Sequence, residues 1–155
     1  MRGAISISAA YHHHVPAEAF LIAVQTAAAW WMAGLCWLVQ LVVYPQFARV
    51  EAAGFAVYHK HHVNWTGAVV LPAMLIELLC GGLWLWVRPD STAAWVGAGL
   101  LAVCWATTLA CELPLHGRLK RGVTPRLVRL LVWGNLPRTL AWTARGVLLL
   151  AATGR

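Results

Sequence analysis

Four apolar stretches alternate with short polar breaks along the chain: Ala17 to Tyr44, Asn64 to Val87, Ala93 to Leu115, and Leu127 to Ala152. Each is long enough to cross a bilayer as a helix, which takes about 20 residues. The breaks carry helix-stopping chemistry. Tyr44-Pro45 is expected to end the first span, Arg88-Pro89-Asp90-Ser91 to turn tightly between the second and third, and Gly117 to Pro125 to separate the third from the fourth. Helix two is expected to start ahead of its apolar core, in the amphipathic run Phe55 to His62. The predicted helices therefore cover about 17–44, 55–87, 93–115 and 127–152. A short second turn makes helices two and three opposed neighbours. The expected fold is all-α: one transmembrane domain over 1–155, an integral membrane antiparallel four-helix bundle. The first stretch is too long for a cleaved signal peptide and follows only Met1-Arg2, so it reads as a retained helix.

Composition decides the solvent. Of the 155 residues, 61% are hydrophobic and 11% charged, with mean hydropathy +0.67, whereas soluble domains carry roughly 25% charged residues. Neither a water-soluble surface nor intrinsic disorder can be built from that mixture, so lipid must supply the missing solvation. Arg49, Lys60, Arg118, Lys120, Arg121 and Arg126 gather at the first and third loops, against Arg2, Arg88 and Arg155 on the other side. The positive-inside rule then places those loops in the cytoplasm and both termini outside a multi-pass cell-membrane protein. The net charge of +7 records this orientation rather than nucleic-acid binding. Trp65, Trp84, Trp86 and Trp95 fall at span ends, where an indole anchors in the headgroups. Cys36, Cys80, Cys104 and Cys111 lie in apolar stretches without a C-x-x-C pair and read as small buried hydrophobes. Tyr11-His12-His13-His14 reads as a surface tract with adventitious metal affinity.

Candidate chemistry sits where an expensive residue is tolerated in the lipid-embedded part. Glu77 lies deep in helix two, Glu112 near the end of helix three, and helix four carries Asn135, Arg138 and Arg145. At about 1.5 Å of rise per residue, Arg138 falls roughly 16 Å into helix four and Glu77 roughly 20 Å into helix two, which predicts a Glu77–Arg138 ion pair. Such a pair can fix which helices meet without doing chemistry. Thr108, Glu112 and His116 form a polar stripe at i, i+4, i+8, while His59, His62 and Thr66 share a face with Glu77. His59 or His62, with His116 and Glu112, would offer imidazoles and a carboxylate suited to a divalent transition metal. The plainer reading of the same histidines is a solvated patch at the headgroups. Gln40 and Tyr44 add polar groups at the same end. A pocket opening there, walled by Trp and Leu and floored by the Glu77–Arg138 pair, is expected to take a lipophilic small molecule.

Leu113-Pro114-Leu115-His116-Gly117-Arg118-Leu119, followed by Trp133-Gly134-Asn135-Leu136-Pro137-Arg138-Thr139, resembles the anthrone-oxygenase-like family of small four-helix membrane proteins. His116 stands where that family tends to carry Asn. The resemblance is strongest in the second half of the chain. It implies oxidation of a fused aromatic phenol by O₂ without a bound redox cofactor. On that reading His116 is the base, Asn135 and Arg138 hold the oxyanion, and Glu112 orients the imidazole. Two other functions stay open: a metal- or haem-binding membrane protein using His59, His62 and His116, and a non-catalytic accessory subunit of a larger membrane complex. Expected partners are membrane lipid and a lipophilic small molecule, with no nucleic acid. A homo-oligomer also stays open, since Gly81-Gly82 and Gly97-x-Gly99 would permit close helix contacts.

Overall fold

The computed structural model describes residues 4–153, and side chains from 17 to 153; the Tyr11 to His14 side chains lie outside that range. It is all-helical, with four continuous helices. Helix α1 runs Ala4–Leu38, widens through a π-helical turn at Val39–Val43 and closes with Tyr44–Phe47. Helix α2 is Ala52–Val87, and α3 is Thr92–Leu119 with a π-helical turn at Thr108–Glu112. Helix α4 is Pro125–Thr153. Three of the helices, over Ala17–Phe47, Ala52–Val87 and Thr92–Leu119, are long and apolar enough to cross a membrane. Helix α4 is not among them, because it carries Arg126, Arg129, Asn135, Arg138 and Arg145.

Pro45 does not end the first helix, and Pro114 does not end the third. Each lies two residues past a π-helical turn. A proline has no N–H to donate, and its ring crowds the carbonyl four residues back. The extra residue of a π turn absorbs both problems, so the helix continues to Phe47 or Leu119. Tyr44 and Glu112 stand at the C-terminal edges of the two turns and are both buried. The connections are short. Ser91 Oγ accepts from the Ala94 amide at 3.3 Å at the start of α3, and Thr124 Oγ1 accepts from Leu127 at 3.2 Å at the start of α4. Gly122, with φ of +150°, supplies the backbone reversal before Thr124 that a Cβ would strain.

Helix α1 packs against α2 and α4, and α3 packs against the same two. The core is layered along the helices. Phe47, Phe55, Leu119, Val128 and Leu131 pack at the end that carries the first and third loops. Met32, Cys36, Met74, Cys104 and Trp142 fill the middle, and Ile22, Ala29, Trp84, Ala94 and Leu149 close the far end.

One guanidinium ties all four helices between the last two layers. Arg145 of α4 donates from Nε to Glu77 Oε1 of α2 at 3.0 Å, from Nη2 to Gln25 Oε1 of α1 at 2.6 Å, and from Nη1 to the Gly97 carbonyl of α3. Trp142 Nε1 donates to the other Glu77 oxygen at 2.6 Å, so both carboxylate oxygens are satisfied. Gly97 and Gly81 make the room: a Cβ at Gly97 would lie 3.0 Å from Arg145 Nη1, and one at Gly81 would lie 3.4 Å from Nη2.

This network replaces the expected Glu77–Arg138 pair. Helix α2 already begins at Ala52, and Phe55 shares a cluster with Val128. Counted from that level, Glu77 lies about 33 Å along its helix, Arg145 about 26 Å and Arg138 only about 15 Å. Helical side chains also lean toward their own N-terminus, which carries the Arg138 guanidinium further from Glu77. Trp84 departs from expectation as well. It is buried, donating to Glu18 at 3.1 Å, while Trp65, Trp86 and Trp95 are exposed. Glu18 also binds Arg88 at 2.7 Å, and this hydrogen bond and charge raise the Arg88 pKa above its ordinary value.

Cutting one partner of a buried ion pair leaves an uncompensated charge. Glu77→Gln and Arg145→Met should each lower stability by about 3–5 kcal/mol, whereas the double change should cost much less than the sum. Unfolding curves of the four proteins in detergent check this, and additive losses would refute the coupling.

Candidate functional site

A second polar group forms where α1, α2 and α3 meet beside the first and third loops. Tyr44 OH donates to Glu112 Oε2 at 2.6 Å and lies 3.1 Å from His116 Nε2. The other His116 nitrogen, Nδ1, lies 3.0 Å from His59 Nε2. Phe47, fully buried, sets its ring edge-on to the rings of His59, His62 and His116, and Phe55 stacks on His59 with 5.4 Å between ring centres. His62 lies 3.3 Å from Thr66 through its Nδ1 and presents its ring to Tyr44.

These distances fix a direction for the protons. Tyr44 has one hydroxyl proton and gives it to Glu112, so its oxygen must accept from His116 Nε2. A neutral His116 protonated at Nε2 accepts at Nδ1, and His59 is therefore the donor there through Nε2. What remains are two lone pairs. Glu112 Oε1 and His59 Nδ1 are both buried and without a hydrogen-bond partner, one at each end of the chain of bonds. Trp105 Nε1 is the third such atom among the described residues. Buried polar atoms are rarely left this way, because each one forfeits its hydration for nothing.

A turn deeper, Arg138 Nε donates to Asn135 Oδ1 at 2.6 Å and Nη1 to Thr108 Oγ1 at 3.2 Å. Asn135 Nδ2 donates to Gln40 Oε1 at 2.7 Å, and Gln40 Nε2 reaches the Val132 carbonyl at 2.9 Å. The polar stripe of α3 is thus split, Thr108 serving Arg138 while Glu112 and His116 serve Tyr44. The α4 backbone comes close to the carboxylate at Gly134, where a Cβ would sit 3.5 Å from Glu112 Oε1.

His116, Glu112, Asn135 and Arg138 therefore occupy adjoining stretches of α3 and α4, and His59 and His62 join His116. Their roles differ from those the sequence suggests. Glu112 stands 3.9 Å from His116, beyond hydrogen-bond reach, and Tyr44 bridges the gap. Among the described residues, no three or more His, Cys, Asp or Glu side chains are arranged to hold a metal ion. The Glu77–Arg138 floor expected beneath a pocket does not form, since Glu77 pairs with Arg145. Two open cavities lie elsewhere. One of about 570 Å³ runs between α1 and α2, lined by Val24, Trp31, Val69 and Pro72 among others. Another of about 320 Å³ lies between α2 and the end of α3. Tyr44 and Gln40 are the site residues that sequence reasoning undervalued. Their signal was the i, i+4 spacing directly before Pro45 in an otherwise apolar helix. No protein-family model, curated protein or solved structure matches the chain.

Tyr44→Phe removes the only donor to Glu112 among the described residues and the acceptor for His116. Stability should fall by about 1–3 kcal/mol, since two buried groups lose their partner. Thermal unfolding of the variant checks this, and an unchanged midpoint would show that the bridge is not made.

Proposed function

We propose that the chain is an integral membrane protein, an antiparallel four-helix bundle with an internal proton-accepting site for a lipophilic aromatic substrate. Its surface and interior support membrane insertion. Gln25, Gln40, His59, Glu77, Glu112, Asn135, Thr139, Arg138 and Arg145 are buried, while Phe20, Trp31, Leu79, Trp86 and Trp133 are exposed. Water would reverse that distribution, and lipid favours it. Helix α4 joins the other three as a span because Arg138 and Arg145 face inward onto partners, while Arg126 and Arg129 are exposed near its start. The basic residues of the first and third loops orient those loops to the cytoplasm, with both termini outside.

The observation that carries the site reading is the unpartnered Glu112 Oε1, buried beside a Tyr44–His116–His59 chain of hydrogen bonds. A carboxylate oxygen held dry with a free lone pair is a base awaiting an acidic hydrogen. The second carboxylate oxygen is engaged by Tyr44, which holds the group in place. Arg138 supplies positive charge one turn deeper for the oxygen of the anion that deprotonation creates. For the substrate class implied by the family resemblance, an anthrone-type ring methylene loses its first proton to Glu112. The resulting enolate then reacts with O₂. In the balanced reaction the CH₂ becomes C=O, one oxygen atom enters the carbonyl and the other leaves as water with the two hydrogens. His116 then holds the Tyr44 oxygen through its Nε2 proton rather than acting as the first acceptor.

Glu112→Gln keeps the shape of the site and removes its base. It should lower turnover of anthrone, followed by quinone absorbance, by about 10²–10⁴-fold. His116→Ala should slow turnover less, because the first acceptor is intact. Undiminished turnover in Glu112→Gln would take this carboxylate out of the chemistry.

A further inference from the structure

The cleft between α2 and the end of α3 has no part in the site above, and its chemistry is distinct. It encloses about 320 Å³ and is lined by Ala56, Lys60, Val63, Asn64 and Lys120. Two ammonium groups and a carboxamide share it with two small apolar side chains, and no carboxylate lines it. Four of the five acids are engaged elsewhere, and the fifth, Glu51, is exposed at the start of α2 and does not line the cleft. Glu18 and Asp90 bind Arg88, Glu77 binds Arg145, and Glu112 binds Tyr44. Neither Lys60 nor Lys120 forms a salt bridge among the described residues.

Two like charges drawn from separate helices into one cleft repel each other until an anion sits between them. The flanking sequence adds Arg118 and Arg121 and no acid between Gly117 and Pro125. The cleft also sits at a particular depth. Asn64 is the last strongly polar residue before the apolar run of α2, so the lysines lie where that helix would leave the hydrocarbon. Basic pockets between helices at this level match the phosphate of an anionic lipid, and Ala56 and Val63 match its glycerol and upper acyl carbons.

We propose that Lys60, Lys120 and Asn64 form a binding site for the phosphate of an anionic phospholipid headgroup. The test uses the full chain in a neutral detergent, titrated with dioctanoyl phosphatidylglycerol, dioctanoyl phosphatidylcholine or inorganic phosphate and read by native mass spectrometry. One phosphatidylglycerol should bind per chain, with phosphatidylcholine and inorganic phosphate at least tenfold weaker, roughly what the loss of one or two close charges produces. The double variant K60Q/K120Q should weaken phosphatidylglycerol binding by roughly tenfold or more. K60R/K120R, which keeps both charges, should retain it, as should R126Q, whose residue lies outside the cleft. Equal binding of phosphatidylcholine, equal binding of inorganic phosphate, or unweakened binding by K60Q/K120Q would each overturn the assignment.

Discussion

The arrangement of the four helices depends on the Arg145 guanidinium and the acceptors gathered around it. A buried arginine is tolerable only when its donors are met, and here they are met by a different helix in each direction: Glu77 on α2, Gln25 on α1 and the Gly97 carbonyl on α3. That requirement reaches into the sequence at positions that look unremarkable alone. Gly81 and Gly97 lack side chains at the points where a methyl group would press on the guanidinium, and Trp142 closes the free face of Glu77. In a chain whose outer surface is apolar, the hydrophobic effect gives helices little reason to meet in one register. Directional hydrogen bonds supply the register instead.

The second constraint is local and repeated. In α1 and α3 alike, a five-residue π-helical turn precedes a proline by two positions and puts a polar residue on the inner face at its end. The two residues so placed, Tyr44 and Glu112, are hydrogen-bonded to each other at 2.6 Å. The prolines therefore act on the site through the backbone. They force the wide turns, and the wide turns rotate the following residues out of the helical register that the apolar pattern would otherwise set.

Much of this was legible in the sequence, at the level of elements more than of partners. The lengths of the apolar stretches and the Arg88-Pro89-Asp90-Ser91 turn gave the helices and their order, because a strong period and a strong breaker are local signals. The convergence of Glu112, His116, Asn135 and Arg138 on one region also followed from spacing along α3 and α4. Pairing across helices was less accessible. Assigning Glu77 to Arg138 required a common zero of height for α2 and α4, and the apolar core of α2 starts twelve residues after the helix itself does. Pro45 hid the first π turn, since a proline in an apolar run reads more readily as an end than as a bulge. Trp84 carries the same lesson, because a tryptophan near a helix end is an anchor only if no buried acid faces it.

The two polar layers are built to different standards, and the difference separates scaffold from site. Around Arg145 each polar side-chain atom has a partner: both Glu77 oxygens accept, and Gln25 returns its own amide to the Leu21 carbonyl at 3.1 Å. Around Tyr44 the bonds run in a line and stop at two bare acceptors, Glu112 Oε1 and His59 Nδ1. A layer whose only task was to hold helices together would gain by closing those ends, since each costs the desolvation of a polar atom. The line leaves them open at its two ends, on either side of His116. The matched layer holds the helices in register so that the unmatched one can keep its geometry without being fully bonded itself.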